Sequence, residues 1–371
     1  MAEFDLQQLQ LHDMCVYVHV PFCDTICDFC AFTKVKTDQE LIERYLKALC
    51  NEFELFSTKY SIDLKTSTRT LYFGGGTPSV LSQSQLEKIL SYFNVLSIEE
   101  ITIECHPNHI NLSYLKDLVE LGFNRISVGI ENTDPNLLQY IGRTPHKTTV
   151  TRISEIYSQL DFKNWSLDLM FGYQPLTIRQ FKKMLLEVTQ LDYPPNHISL
   201  YALNLESGTP LAKRKDFQLH DDLIEYYELI ECTLPEYGFQ WEEISNWHKT
   251  GYMSCHNSNY WAQGNFYGFG PGAYSAHGNR RWFNTKMLKS YFENIGSGNL
   301  PIAHLEKLSD KDLEFERLIL NLRTPKGIQT KYLSDEHLND GLIYHNKETD
   351  RYVLTPRGKA LSTYICKSLE L

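Results

Sequence analysis

Short apolar runs alternating with amphipathic helical stretches, from the first run to about residue 205, constrain this chain more than any other feature. Strands are read at 15–20, 70–73, 101–104, 125–128, 166–170 and 198–203. Between them Leu41, Ile42, Tyr45, Leu46, Leu49, Phe53 and Phe56 recur at helical spacing behind a Thr37/Glu40 capping box. Ser82 and Gln85 open a further helix, and Gly122 stops a third. Strands joined by helical crossovers pair in parallel, which leaves a doubly wound sheet or a barrel; periodicity does not choose between them.

In either case the chemistry gathers on loops beyond the carboxyl ends of the strands. Cys23, Cys27 and Cys30 follow the first run and Gly74-Gly75-Gly76-Thr77-Pro78 the second. Glu104 ends the third, Glu131 follows the fourth, and Asp168 lies near the start of the fifth, so that all should meet at one mouth. Three soft thiolates on one loop suit an iron-sulfur cubane, in which one iron keeps no protein ligand. Structural zinc completed by His19 is the alternative. The odd total of nine cysteines and a polar start without an apolar signal core favour a reducing compartment, the cytoplasm, over disulfides. Neither the Gly-Lys-Ser of a phosphate loop nor a dinucleotide GxGxxG accompanies the glycine run. A net charge of −10 argues against nucleic acid as a partner, and no apolar run approaches membrane-spanning length.

A second constellation reads Ser254-Cys255-His256-Asn257-Ser258-Asn259-Tyr260-Trp261, followed by Tyr267-Gly268-Phe269-Gly270-Pro271-Gly272-Ala273. An imidazole, aromatic faces and glycines that allow close approach suit a porphyrin; a buried histidine in an aromatic core is the plainer reading. From about Leu305 the rhythm changes to a Ser309/Asp312-capped helix, a hairpin and a last helix started by Thr355-Pro356, in a winged-helix-like order. Asp335, Glu336 and Asp340 on the would-be recognition helix repel phosphate, so a lid or docking role is expected there. The chain is thus divided into 1–240, 241–304 and 305–371.

The CxxxCxxC loop, the GGGTP turn, Glu104 with Pro107, and the segments 125–129 and 168–172 resemble the radical S-adenosylmethionine family related to oxygen-independent coproporphyrinogen III oxidase. That resemblance implies an α/β fold, an open six-stranded (β/α)6 barrel with the small C-terminal unit appended. It implies a 4Fe-4S cluster on Cys23, Cys27 and Cys30, its fourth iron chelated by S-adenosylmethionine, whose reductive cleavage gives a 5'-deoxyadenosyl radical. Tyr17, Phe29, Gly75, Gly76, Thr77, Glu104, Arg143 and Asp168 are then expected to line the S-adenosylmethionine pocket. HNxxYW resembles the heme-chaperone branch called HemW, which implies heme on His256 and transfer to a heme-acceptor protein. Ala31-Phe32 stands where the oxidase adds a further cysteine, and a shorter segment precedes the first strand. Both favour the chaperone over two enzyme readings, decarboxylation of coproporphyrinogen III and radical modification of heme. An electron donor such as flavodoxin or ferredoxin, a homodimer and transient membrane association are compatible with the resemblance.

Four departures stand out. Glu131 replaces the usual glutamine, 172–177 reads GYQPLT in place of GLPGQT, the segment 142–146 carries an extra residue, and Glu242 replaces a tyrosine. An ionised glutamate only accepts hydrogen bonds, so Glu131 must lose, reverse or protonate the contact a glutamine makes with S-adenosylmethionine.

Overall fold

The computed structural model describes residues 13–145 and 147–369; the polar start before residue 13, His146 and the side chain of Asp335 lie outside the described residues. Six strands run in parallel and in sequence order: β1 (Met14–Val20), β2 (Thr68–Gly75), β3 (Glu100–Cys105), β4 (Arg125–Glu131), β5 (Trp165–Phe171) and β6 (His197–Ala202). Among the described residues β1 and β6 do not pair, so the barrel is open.

Period-two alternation explains the shape. Leu71, Phe73, Ile101, Ile103, Ile126, Val128, Leu167 and Leu169 join the large buried core shared with the helices. Their neighbours on the other face are polar: Tyr72 stands opposite Thr102, Glu104 opposite Ser127, and Asp168 opposite Ser199. Each strand therefore stabilises the helical shell on one side, about 1.5–3 kcal/mol per large buried side chain, and carries polar groups on the other.

The segment 241–304 builds both margins of this same sheet. Beyond β6 lie β7 (Phe239–Glu243) and β8 (Asn246–Lys249), antiparallel, and β7 runs across residue 240. Beyond β1 lies β9 (Phe266–Phe269), parallel to it, then β10 (Tyr274–His277), β11 (Arg280–Asn284) and β12 (Ile302–Lys307). Twelve strands form one sheet among the described residues.

The first helix, Gln39–Tyr60, is capped by Asp38 and not by Thr37: the Asp38 carboxylate accepts the Leu41 N–H at 2.8 Å. An anionic side chain one residue nearer the helix meets the positive end of its dipole. Ser82 and Gln85 do form a reciprocal capping box, as do Ser309 and Asp312. The C-terminal unit comprises the helix Asp310–Leu322, a short helix Asp335–Asn339, the hairpin of Ile343–Asn346 with Arg351–Leu354, and the helices Pro356–Ala360 and Ser362–Lys367. It has its own small core around Leu318, Leu322, Ile343, Leu354 and Ile365. No helix among the described residues is long and apolar enough to cross a membrane.

Candidate functional site

The carboxyl ends of the barrel strands and the loops after them enclose a cavity of about 560 Å³. Cys23, Cys27, Phe29 and Cys30 enter its wall from the loop after β1, and Gly75, Gly76 and Thr77 from the turn after β2. Glu104, Glu131, Arg143 and Asp168 complete it. Tyr17 stands apart: it lines a second cavity, its ring stacked on Tyr72 at 6.0 Å.

The cysteine loop is tied at its base. Phe22–Cys23 pairs with Val35–Lys36, and the N–H groups of Gly76 and Thr77 donate to the carbonyls of Val20 and Phe22 at 2.8 and 2.7 Å. A Cβ at position 76 would lie 2.7 Å from the Phe22 carbonyl, so the glycine is demanded by the cysteine loop itself. Gly75, at φ +110°, would drive a Cβ to within 2.4 Å of the His19 ring.

Thiol chemistry follows from burial, which pushes Cys23 up to about 11 and raises Cys27, so a metal binding there displaces protons. Among the described residues no three His, Cys, Asp or Glu side chains converge on one ion site. A cubane does not require that, because each thiolate takes its own iron. His19 has no nitrogen left for zinc: Nε2 donates to the Thr33 carbonyl at 2.7 Å and Nδ1 accepts from the Tyr17 hydroxyl at 3.1 Å. The donor set of three thiols on one cavity wall fits an iron-sulfur cluster.

Facing the thiols is an acidic wall that holds Arg143. The Glu104 carboxylate accepts from the Tyr72 hydroxyl at 2.8 Å and from Gly75 N–H at 3.2 Å; burial, reinforced by Asp168, pushes it up to about 7. Burial also raises Asp168, which accepts from Ser127 Oγ at 3.0 Å. A register shift between Gly129 and Glu131 turns Glu131, at φ +60°, into the cavity. There Glu131 Oε1 sits 2.9 Å from Arg143 Nη1, and burial pushes Glu131 up to about 6 against the pull of that guanidinium. Arg143 also donates to the Gly129 carbonyl at 2.6 Å and approaches the Cys27 sulfur at 3.4 Å, while its buried Nε has no partner among the described residues. Four acids, Glu206 included, against Arg143 and Lys34 still favour a ligand that brings positive charge and hydrogen-bond donors.

His256 lies elsewhere, in the helix Cys255–Trp261, whose first N–H groups, with Ser254 Oγ, hold the Glu100 carboxylate. It is 1 % exposed. Nδ1 meets Thr70 Oγ1 at 2.8 Å and Nε2 meets the Tyr260 hydroxyl at 2.7 Å, so a metal bond to either nitrogen requires one of these contacts to open. The ring packs 5.1 Å from Tyr72, which reaches on to Glu104. The HNxxYW helix thereby supports the layer beneath the cavity. The glycines after it are filled by the protein: a Cβ on Gly270 would lie 2.6 Å from the His19 carbonyl, and one on Gly272 would lie 2.3 Å from Thr33 Oγ1. Gly270 thus serves the packing of the barrel, whereas Gly272 also lines a second cavity.

Lys34 and Tyr201, absent from the expected set, also line the site; Lys34 Nζ donates to the Cys30 carbonyl. A lone lysine four residues past the last cysteine was the available cue.

Comparison with known proteins places these features in a family. The radical SAM superfamily model matches residues 17–188. A heme chaperone HemW of Bacillus subtilis is 30% identical over 94% of this chain and 97% of its own length; one of Mycobacterium tuberculosis is 32% identical over 95% and 94%. The solved structure of the coproporphyrinogen III oxidase HemN from Escherichia coli superimposes with a TM-score of 0.78 over 96% of this chain and 90% of that one, at 21% identity, which speaks to the fold. A cysteine-lined barrel mouth and full-length similarity of this degree lead to one conclusion: the chain belongs to the radical SAM superfamily and, within it, to the HemW family.

Proposed function

We propose that this protein is a cytosolic heme chaperone, binding heme and passing it to an acceptor protein, on a scaffold that carries a 4Fe-4S cluster and S-adenosylmethionine. The observation that carries the reading is similarity to proteins of that name along almost the whole chain, HNxxYW helix and C-terminal unit included. Cys23, Cys27 and Cys30 would hold the cluster. Glu104 and Asp168 would attract the cationic end of S-adenosylmethionine, Glu131 lying in the same pocket with its charge taken up by Arg143, while Phe29, Gly75, Gly76 and Thr77 wall the pocket and Tyr17 braces it from below. When bound, the pair supplies one-electron reductive cleavage of a sulfonium. The protein's own part is to orient: Tyr72 and Gly75 fix Glu104, Ser127 fixes Asp168, and Glu131 fixes Arg143 beside Cys27. The winged-helix-like C-terminal unit is assigned to docking or to covering the site. An electron donor of flavodoxin or ferredoxin type, and a dimer, fit the same reading.

The test is a heme titration of anaerobically reconstituted protein, followed by mixing with a heme-free acceptor. A saturable Soret change and transfer are expected. Absence of binding, or conversion of coproporphyrinogen III to protoporphyrinogen IX, would overturn the assignment.

A further inference from the structure

Beside the site lies a second cavity of about 590 Å³, within the range of cofactor sites, lined by Tyr17, His19 and Gly272 among others. Ala31 and Phe32, just past the third cysteine, line both cavities, so the two share a wall. Opposite stand β10 and β11, and the helix Asp310–Leu322 closes one side through Glu316 and Leu320.

Its chemistry is two-sided. Tyr260, Phe266 and Tyr274 present aromatic surface; the rings of Tyr260 and Phe266 meet edge to face at 4.5 Å, and Tyr274 is 54 % exposed. Phe32 adds a face that is 69 % exposed, a large apolar ring left in water. The polar groups are cationic on balance. Arg281 forks onto Glu316, Nε to Oε1 at 3.0 Å, which neutralises that carboxylate and leaves Lys286, exposed and without an ion-pair partner among the described residues, as the uncompensated charge. A cationic ligand is disfavoured there. A flat aromatic molecule with carboxylates matches both halves.

We infer that this second cavity is the tetrapyrrole site, holding the porphyrin plane against its aromatic wall and a propionate on Lys286, next to the cysteine loop. The inference rests on the heme reading above. The His19 nitrogens are engaged, and the Tyr260 hydroxyl stands between His256 and the cavity. Recognition therefore depends on the plane and the carboxylates more than on iron.

The experiment titrates hemin and metal-free protoporphyrin IX separately into anaerobically reconstituted wild type, Lys286→Glu and Tyr274→Ala, two exposed positions whose replacement leaves the core intact. Both ligands should bind wild type with affinities within about threefold, and Lys286→Glu should weaken both by about tenfold, as loss of one charge-assisted contact implies. Tyr274→Ala should weaken both as well. Hemin binding unchanged in both variants, or hemin bound while the metal-free ligand is refused, would overturn the site and leave the chaperone reading standing. Failure of wild type to bind hemin would overturn the chaperone reading itself.

Discussion

Arg143 is the residue on which the two halves of the site turn, because Glu131, the Gly129 carbonyl and the Cys27 sulfur hold it together. Glu131→Gln keeps an acceptor for the guanidinium and removes the countercharge, at an expected cost of about 1–3 kcal/mol in urea melts of cofactor-free protein. Its affinity for S-adenosylmethionine in anaerobic calorimetry should be kept or tightened; a large weakening would show the carboxylate to be a required contact. Glu52 offers a pH test away from the site. It accepts from Tyr291 Oη at 2.6 Å, Asn284 Nδ2 at 2.7 Å and Gly270 N–H at 2.8 Å, and burial pushes it up to about 7. The folded state holds this proton more tightly than the unfolded state, so the contribution is complete below pH 4.5 and is lost as pH rises through about 7, on the order of 3 kcal/mol. The melting temperature of wild type should therefore fall relative to Glu52→Gln between pH 5 and about 7.5, and parallel profiles would refute it.

Among the elements, the HNxxYW helix and the glycine turn after it act as supports. His256→Ala should cost about 2–4 kcal/mol in heme-free protein, since it removes two buried hydrogen bonds and an aromatic contact. A loss of heme binding in that variant is thus interpretable only beside its melting curve. Gly272→Ala, at φ +75° and against Thr33, should lower iron incorporation at the cysteine loop without touching a cysteine. The six barrel strands were legible because period-two runs recur with helices between them, and the mouth was legible because strand ends collect the polar residues. β7 to β12 were not, being short pieces, antiparallel apart from the contact of β9 with β1, without that repetition. Asp38 was hidden by a Thr37/Glu40 pattern of the right spacing one residue early. The second cavity was invisible, as its walls run from Tyr17 to Leu320 and only folding brings them together.

At the scale of the whole molecule, the C-terminal unit is fastened to the barrel through a buried lysine. Lys359 is 2 % exposed, paired with Glu231 and 3.5 Å from the centre of the Trp241 ring, and burial pushes it down to about 8. Lys359→Ala strands Glu231 and should cost about 3 kcal/mol, with earlier protease release of the C-terminal unit than in wild type. If that unit covers the site, the same variant should also exchange heme faster; unchanged proteolysis would show that the pair fastens nothing. All of this stands on the claim that the three cysteines carry a cluster with one open iron. The most direct test is electron paramagnetic resonance of the reduced, anaerobically reconstituted protein, with iron and zinc analysis, before and after S-adenosylmethionine. Expected is a 4Fe-4S signal that shifts on addition of S-adenosylmethionine and vanishes in Cys27→Ala; zinc in place of iron, or a signal indifferent to S-adenosylmethionine, would contradict the claim.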